Sequence, residues 1–261
     1  MIKRAICLAI PLVFACDSIK THGHEENGKV AADTVAVADW ATSFLAATAD
    51  PAFGKSTPEE AATAVKNAAA TLFTPASCLD SELNSAKTMA LLTFTNCSGP
   101  YGLAELDGQF TAEFKAVSPT SLTISLGGNL VLKTSKDGGT DVRIDAVVTS
   151  TNTGKSAAVT SKAQGRGPLG NDLQQDGTWT ATWSGSCIAI DGSFKTIVGG
   201  SEYATSVGNY QRCGTSCPAK DGMVAVEVNG TTTTLTYGGG TSADVTSLSG
   251  ESGTLTLVCG G

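Results

Sequence analysis

The spacing of apolar residues changes once along this chain, near residue 86, and the change separates a helical region from a β region. Before it, Val37, Trp40, Phe44 and Ala47 recur every three or four residues, with Asp33 placed as an N-cap. A second stripe, Val65, Ala69 and Leu72, follows a capping box of Thr57 and Glu60. Pro58 stands at the first helical position there, where its missing N–H costs nothing. The short link at 50–56 predicts an antiparallel helical pair over 33–74.

Past the change the period is two. Phe110, Ala112 and Phe114 alternate with Thr111, Glu113 and Lys115, and Leu122, Ile124 and Leu126 with Thr123 and Ser125. Val142, Ile144, Ala146 and Val148 oppose Arg143 and Asp145. Trp179, Ala181 and Trp183 alternate with Thr180 and Thr182, and Val224, Val226 and Val228 with Ala225 and Glu227. This is the pattern of antiparallel strands with one buried face and one wet face. Asp107-Gly108, Gly127-Gly128, Asp137-Gly138-Gly139, Asp176-Gly177, Asp191-Gly192, Asp221-Gly222 and Asn229-Gly230 read as hairpin turns between them. Residues 165–176 read as the longest loop. The predicted fold is mainly β: a long antiparallel meander over 75–261, curled into an open sheet, barrel or sandwich, preceded by the helical pair. A sheet of about a dozen strands must curl, close or split into layers.

The first residues carry an address. Lys3 and Arg4 precede an apolar stretch over 5–15, the layout of a signal sequence and too short to span a bilayer. Val13-Phe14-Ala15-Cys16 resembles the lipobox of bacterial lipoproteins. That resemblance implies a diacylglyceryl group on the Cys16 thiol, acylation (palmitate or a similar chain) of the new amino terminus, and cleavage after residue 15. It implies anchorage in the cell envelope, facing the periplasm or the cell surface. An ordinary secretory signal fits Val13 and Ala15 as well. Parity favours the lipoprotein: in the chain left after cleavage, the cysteines beyond Cys16 (Cys78, Cys97, Cys187, Cys213, Cys217 and Cys259) can pair fully, leaving Cys16 as an odd thiol. Residues 16–32 are polar and aperiodic, and are expected to form a flexible tether carrying His22 and His24.

Composition narrows the chemistry. Loss of Lys3 and Arg4 takes the formal charge from -7 to -9. Such a body repels phosphate backbones, so nucleic acid is not an expected partner. No histidine follows residue 24, which removes Ser-His-Asp, Cys-His and histidine–metal arrangements from the body. Cys213 and Cys217 have no second close pair for a zinc site, so the six cysteines read as structural disulfides. The expected pairings are Cys78 with Cys97, and Cys259 with one of the late three. Gly54-Lys55-Ser56 and Gly154-Lys155-Ser156 lack the first glycine and the strand–helix setting of a phosphate loop. No metal or cofactor is expected.

Carboxylates remain: Glu105, Asp107 and Glu113, and Asp137, Asp141 and Asp145. A glycosidase would need two at a defined separation, one with a raised pKa. Phe110 with Phe114, and Trp179 with Trp183, share strand faces; they read as core or as the lining of an apolar groove beneath the helices. The expectation is a non-enzymatic envelope lipoprotein that binds, scaffolds or adheres to an envelope or extracellular partner. A carrier of a lipid or other apolar ligand is the alternative, and a carboxylate-dependent hydrolase the third reading.

Overall fold

The computed structural model describes residues 23–103, 106–132, 140–167, 169–257 and 259. Two helices come first, α1 (His24–Ala52) and α2 (Pro58–Leu72). Thirteen strands follow: β1 (Leu79–Leu83), β2 (Met89–Cys97), β3 (Leu106–Ser118), β4 (Ser121–Leu132), β5 (Thr140–Ser150), β6 (Lys155–Arg166) and β7 (Asp172–Ser184). The rest are β8 (Cys187–Val198), β9 (Ser201–Cys213), β10 (Met223–Val228), β11 (Thr231–Tyr237), β12 (Ser242–Ser247) and β13 (Ser252–Thr256). Each pairs with its neighbours in sequence, and each pair is antiparallel. The result is one open sheet with β1 and β13 as its edges.

The period-two positions face as expected: Phe110, Ile144, Trp179 and Val226 are all buried. Several turn assignments fail. Gly108, Gly127, Gly128, Gly177 and Gly192 lie inside strands, not at hairpins. Gly177 is there for room, since a Cβ would come within 2.5 Å of the Phe194 ring. Asn229-Gly230 does turn the chain, with both residues at positive φ. The loop read over 165–176 shrinks to 167–171, because β7 begins at Asp172. Asp137-Gly138-Gly139 lies outside the described residues.

The helical region differs more. α1 begins at His24, so nine residues assigned to a tether belong to a packed helix. Asn27 and Gly28 are already buried. Asp33 is not an N-cap; it sits inside α1 and accepts hydrogen bonds from Leu169 N (2.6 Å) and from Asn171 N (3.4 Å) and Nδ2 (2.7 Å) in the 167–171 turn. His24 is no solvated linker residue either, its Nδ1 lying 3.6 Å from Glu251 Oε2. Residues 37–49 are buried without a break, more than three turns of helix.

Such all-round burial needs partners on all sides. Thr42 and Phe44 point roughly 160° apart at about 100° per residue. Thr42 accepts a hydrogen bond from Trp179 on β7 (3.1 Å), while Phe44 meets Phe110 on β3 with ring centroids 4.2 Å apart. A flat sheet touches one side of a helix, so this sheet curls round α1. The helix is long and apolar enough to cross a bilayer, with 29 residues and an 18-residue window of mean hydropathy 1.2, but 94% of that window is buried inside the protein.

α2 keeps the predicted capping box: Thr57 Oγ1 accepts from Glu60 N (3.2 Å), and Glu60 Oε2 reaches back to Ser56 N (2.9 Å). It buries Ala61, Ala62, Val65 and Ala69. It packs on α1 and covers β1–β3.

Candidate functional site

Of the four aromatic residues proposed to line an apolar groove, Phe110, Trp179 and Trp183 meet α1, which occupies the space beside them. Phe110 packs edge-on to Trp40 and Phe44 (centroids 5.9 and 4.2 Å). Trp179 packs beside Phe194 and donates to Thr42; Trp183 Nε1 donates to Asp50 Oδ1 (3.0 Å). Phe114 is 2% exposed. These rings form core.

A line of polar residues keys α1 into the sheet. Asn27 Nδ2 donates to Thr233 (3.1 Å), the Thr34 and Thr196 hydroxyls lie 3.0 Å apart, and Gln175 Nε2 donates to Thr34 O (2.9 Å). At the centre Arg212 donates through Nε (2.7 Å) and Nη2 (2.5 Å) to Asp39, and Nη2 also reaches Ser43 (2.8 Å) and Tyr101 O (2.8 Å). Tyr210 Oη donates to the same carboxylate. Burial works against the Arg212 charge, but the Asp39 carboxylate outweighs it and pushes the guanidinium pKa up. Burial, with Asp39 nearby, pushes the Tyr210 and Tyr237 phenols well above their ordinary value. Burial and Asp50 do the same to Tyr101. A second cluster forms at the end of α1, where Asp50 takes Lys155 Nζ (2.6 Å) and the Tyr101 hydroxyl.

The opposite face of β3–β7 carries an open concavity among the described residues. A groove of about 860 Å³ runs over these strands, floored at Gly127, which carries no side chain to fill it. Register places Thr111, Gly127, Arg143, Lys162 and Asp176 in one row across five strands. Glu113, Ser125, Asp145 and Thr160 form the next. Arg143 thus stands directly opposite Lys162, a like-charge pair that costs stability in a sheet. Lys162 has Asp176 at 3.6 Å, while Arg143 has no ion pair or side-chain hydrogen bond among the described residues. The groove therefore presents one uncommitted guanidinium between carboxylates.

The carboxylates considered for acid–base work are partly in this groove. Glu113, Asp141 and Asp145 line it. The Ser125 hydroxyl holds Asp145 below the usual carboxylate range against a small desolvation cost, and Lys115 at 3.2 Å adds to it. Asp145 is thereby suited to pairing rather than to delivering a proton. Asp107 accepts from Asn96 N (2.8 Å); Glu105 and Asp137 lie outside the described residues. The raised carboxyl is Asp33, lifted by burial against the hydrogen bonds of Leu169 and Asn171, and it is spent holding the 167–171 turn. No group of three or more His, Cys, Asp or Glu suited to a metal occurs among the described residues.

The cysteines pair as Cys78–Cys97, Cys187–Cys213 and Cys217–Cys259. The first ties the exit of α2 to β2, and the third fastens the segment after β13 to the β9–β10 loop. Cys213 and Cys217 thus belong to separate bridges. Cys16 lies outside the described residues. Sequence reasoning missed both the Asp39–Arg212 pair and the groove. Arg212 alternates with Cys213 and Gln211 like any strand residue, and Arg143 reads as an ordinary solvent-face cation; only the absence of a side chain at Gly127 hinted at a hollow.

No protein-family model, curated protein or solved structure matches this chain.

Proposed function

We propose that this chain is an exported protein of a bacterial cell envelope, held to a membrane by lipid on Cys16, whose body binds or scaffolds a polar partner without catalysis. The contact surface in this reading is the outer groove of β3–β7. One observation supports it above the others: α1 occupies the inner side of the sheet, and the hollow lies on the polar side. A carrier of an apolar ligand needs room next to Phe110, Phe114, Trp179 and Trp183, but α1 meets Phe110, Trp179 and Trp183, and Phe114 is buried. Three disulfides suit an oxidising compartment and, with Cys7 removed in the cleaved signal sequence, leave Cys16 as the odd thiol by parity.

Two experiments test the two halves. Cys16→Ser should move the protein from the membrane pellet to the soluble fraction, and persistent association with membranes would remove the lipid anchor. A partner that co-purifies with the wild-type protein from envelope extract should be lost with Arg143→Glu and with Gly127→Trp, which fills the groove. It should be retained by Lys87→Glu, in the turn between β1 and β2. Retention by both groove variants would move the binding surface elsewhere.

A further inference from the structure

The end of the molecule where α1 begins carries an exposed apolar residue on a rigid hairpin. Leu248, between β12 and β13, is 82% exposed, against 48% for Met223 and 46% for Val147. Its exposure is a held position. Leu248 N donates to Thr232 O (3.1 Å), Ser247 N to Glu251 O (2.8 Å) and Gly250 N to Ser247 O (2.9 Å). Ser249 N adds a bond to Ser247 Oγ (3.1 Å). A side chain tied down this way at the backbone cannot fold back to hide its apolar surface.

The first turn of α1 is packed against the same hairpin. His24 lies beside Glu251, and a Cβ on Gly253 would come within 3.2 Å of His24 Nε2. Gly28 lies against Val245, where a Cβ would sit 3.0 Å from the side chain. Two neighbouring turns at this end are small and uncharged, Gly199-Gly200 between β8 and β9 and Asn229-Gly230 between β10 and β11, while its carboxylates include Glu251 beside His24 and Glu25 paired with Lys29. No bulky or charged tip stands in front of Leu248 on those two turns.

The chain length from Cys16 decides what faces this end. Seven Cα–Cα steps separate Cys16 from Gly23, and they reach at most about 25 Å. α1, which runs the length of the body, is about 43 Å long for its 29 residues. A 25 Å leash fixed beside the β12–β13 hairpin cannot pass along the body to turn its far end toward the anchor. We infer that the Leu248 hairpin, with the Gly199-Gly200 and Asn229-Gly230 turns, is a bilayer-facing surface whose partner is the lipid interface, and that Leu248 enters it. This rests on the lipid-anchor reading of Cys16 and adds to it a fixed orientation that the anchor alone would not give. It leaves the β3–β7 groove on the flank of the molecule, open to a partner.

The test uses the lipidated full chain in phosphatidylcholine vesicles containing a shallow nitroxide-labelled lipid. A polarity-sensitive fluorophore is placed at Leu248→Cys, or at Asn152→Cys in the turn beside Lys155, which pairs with Asp50 at the far end of α1. Quenching several-fold stronger at position 248 than at 152, with a blue-shifted emission at 248 alone, is the expected result. Equal quenching, stronger quenching at 152, or none at either position while the protein stays bound would overturn the orientation. The same labelled proteins carrying Cys16→Ser should not float with vesicles; flotation unchanged by that substitution would strike the anchor reading instead, so the two failures are distinguishable.

Discussion

α1 and α2 are both rich in alanine, with threonine and a few larger apolar side chains, yet they meet the same sheet in opposite ways. α2 is a surface helix with a narrow stripe, and Ala61, Ala62, Val65 and Ala69 are its buried residues. It is framed by its own signals, a capping box and an N1 proline, as a helix with a wet face must be. α1 has no side-chain cap at Gly23 and carries Pro51 in its last turn. Its boundaries are fixed from outside, by Asn27, Asp33, Asp39 and Asp50 bonding to successive parts of the sheet. The contrast teaches that a helix can be held by local propensity or by tertiary keys, and that the second kind hides its start from a sequence reading.

Breaking the keys should cost far more than breaking the cap. Arg212→Met leaves Asp39 buried with only Tyr210 and Ser43 to satisfy it, and should lower unfolding free energy by about 3–5 kcal/mol in urea titrations. Pairing it with Asp39→Leu should restore most of that loss, because no unpaired charge is left inside. A cost unchanged in the double variant would mean that the side chains act by shape alone.

Alkali should attack the α1 side next. All four tyrosines, Tyr101, Tyr203, Tyr210 and Tyr237, have pKa values pushed above the ordinary phenol value, chiefly by burial. A raised folded pKa means that the native state holds protons the unfolded chain releases, so the stabilisation is intact below about pH 10 and is lost above it. Tyr210 and Tyr237 should each remove about 1.4 kcal/mol of stability per pH unit there. Phenolate absorbance should therefore stay absent at pH 10 and rise together with loss of near-UV dichroism. Gradual ionisation in a folded protein would contradict the burial.

On the α2 side, Thr57→Ala should cost about 1 kcal/mol through the lost bond to Glu60 N. Smallest of all, Lys66→Ala on the exposed face of α2 should stay within about 0.5 kcal/mol. If Thr57→Ala matched Arg212→Met, the division between the two helices would fail.

Most of the sheet was legible because burial on one face writes period two into the residues. Phe110, Ile144, Trp179 and Val226 face inward as read, and the expected Cys78–Cys97 bridge is present. The Asp-Gly pairs misled because glycine serves two ends: at Asn229-Gly230 it turns the chain, and at Gly177 it makes room for Phe194. The first turns of α1 were illegible for a related reason. Gly28 looks like a helix breaker and is required by Val245, and Asn27 looks solvated and is bonded to Thr233. The stripe of Val37, Trp40, Phe44 and Ala47 suggested one buried side, while the small residues between them are buried too. Apart from the missing side chain at Gly127, the groove left no trace in the pattern, since its side chains have the same character as any wet strand face.

The segment nearest the start of the described chain is also the innermost. α1 emerges before every strand that surrounds it, so a chain delivered amino terminus first presents the mandrel before the wrapping. Each successive hairpin can then be laid against an apolar surface already in place. Because β1 and β13 stay separate edges, the sheet can wrap the helix without a closed ring through which the helix must be threaded.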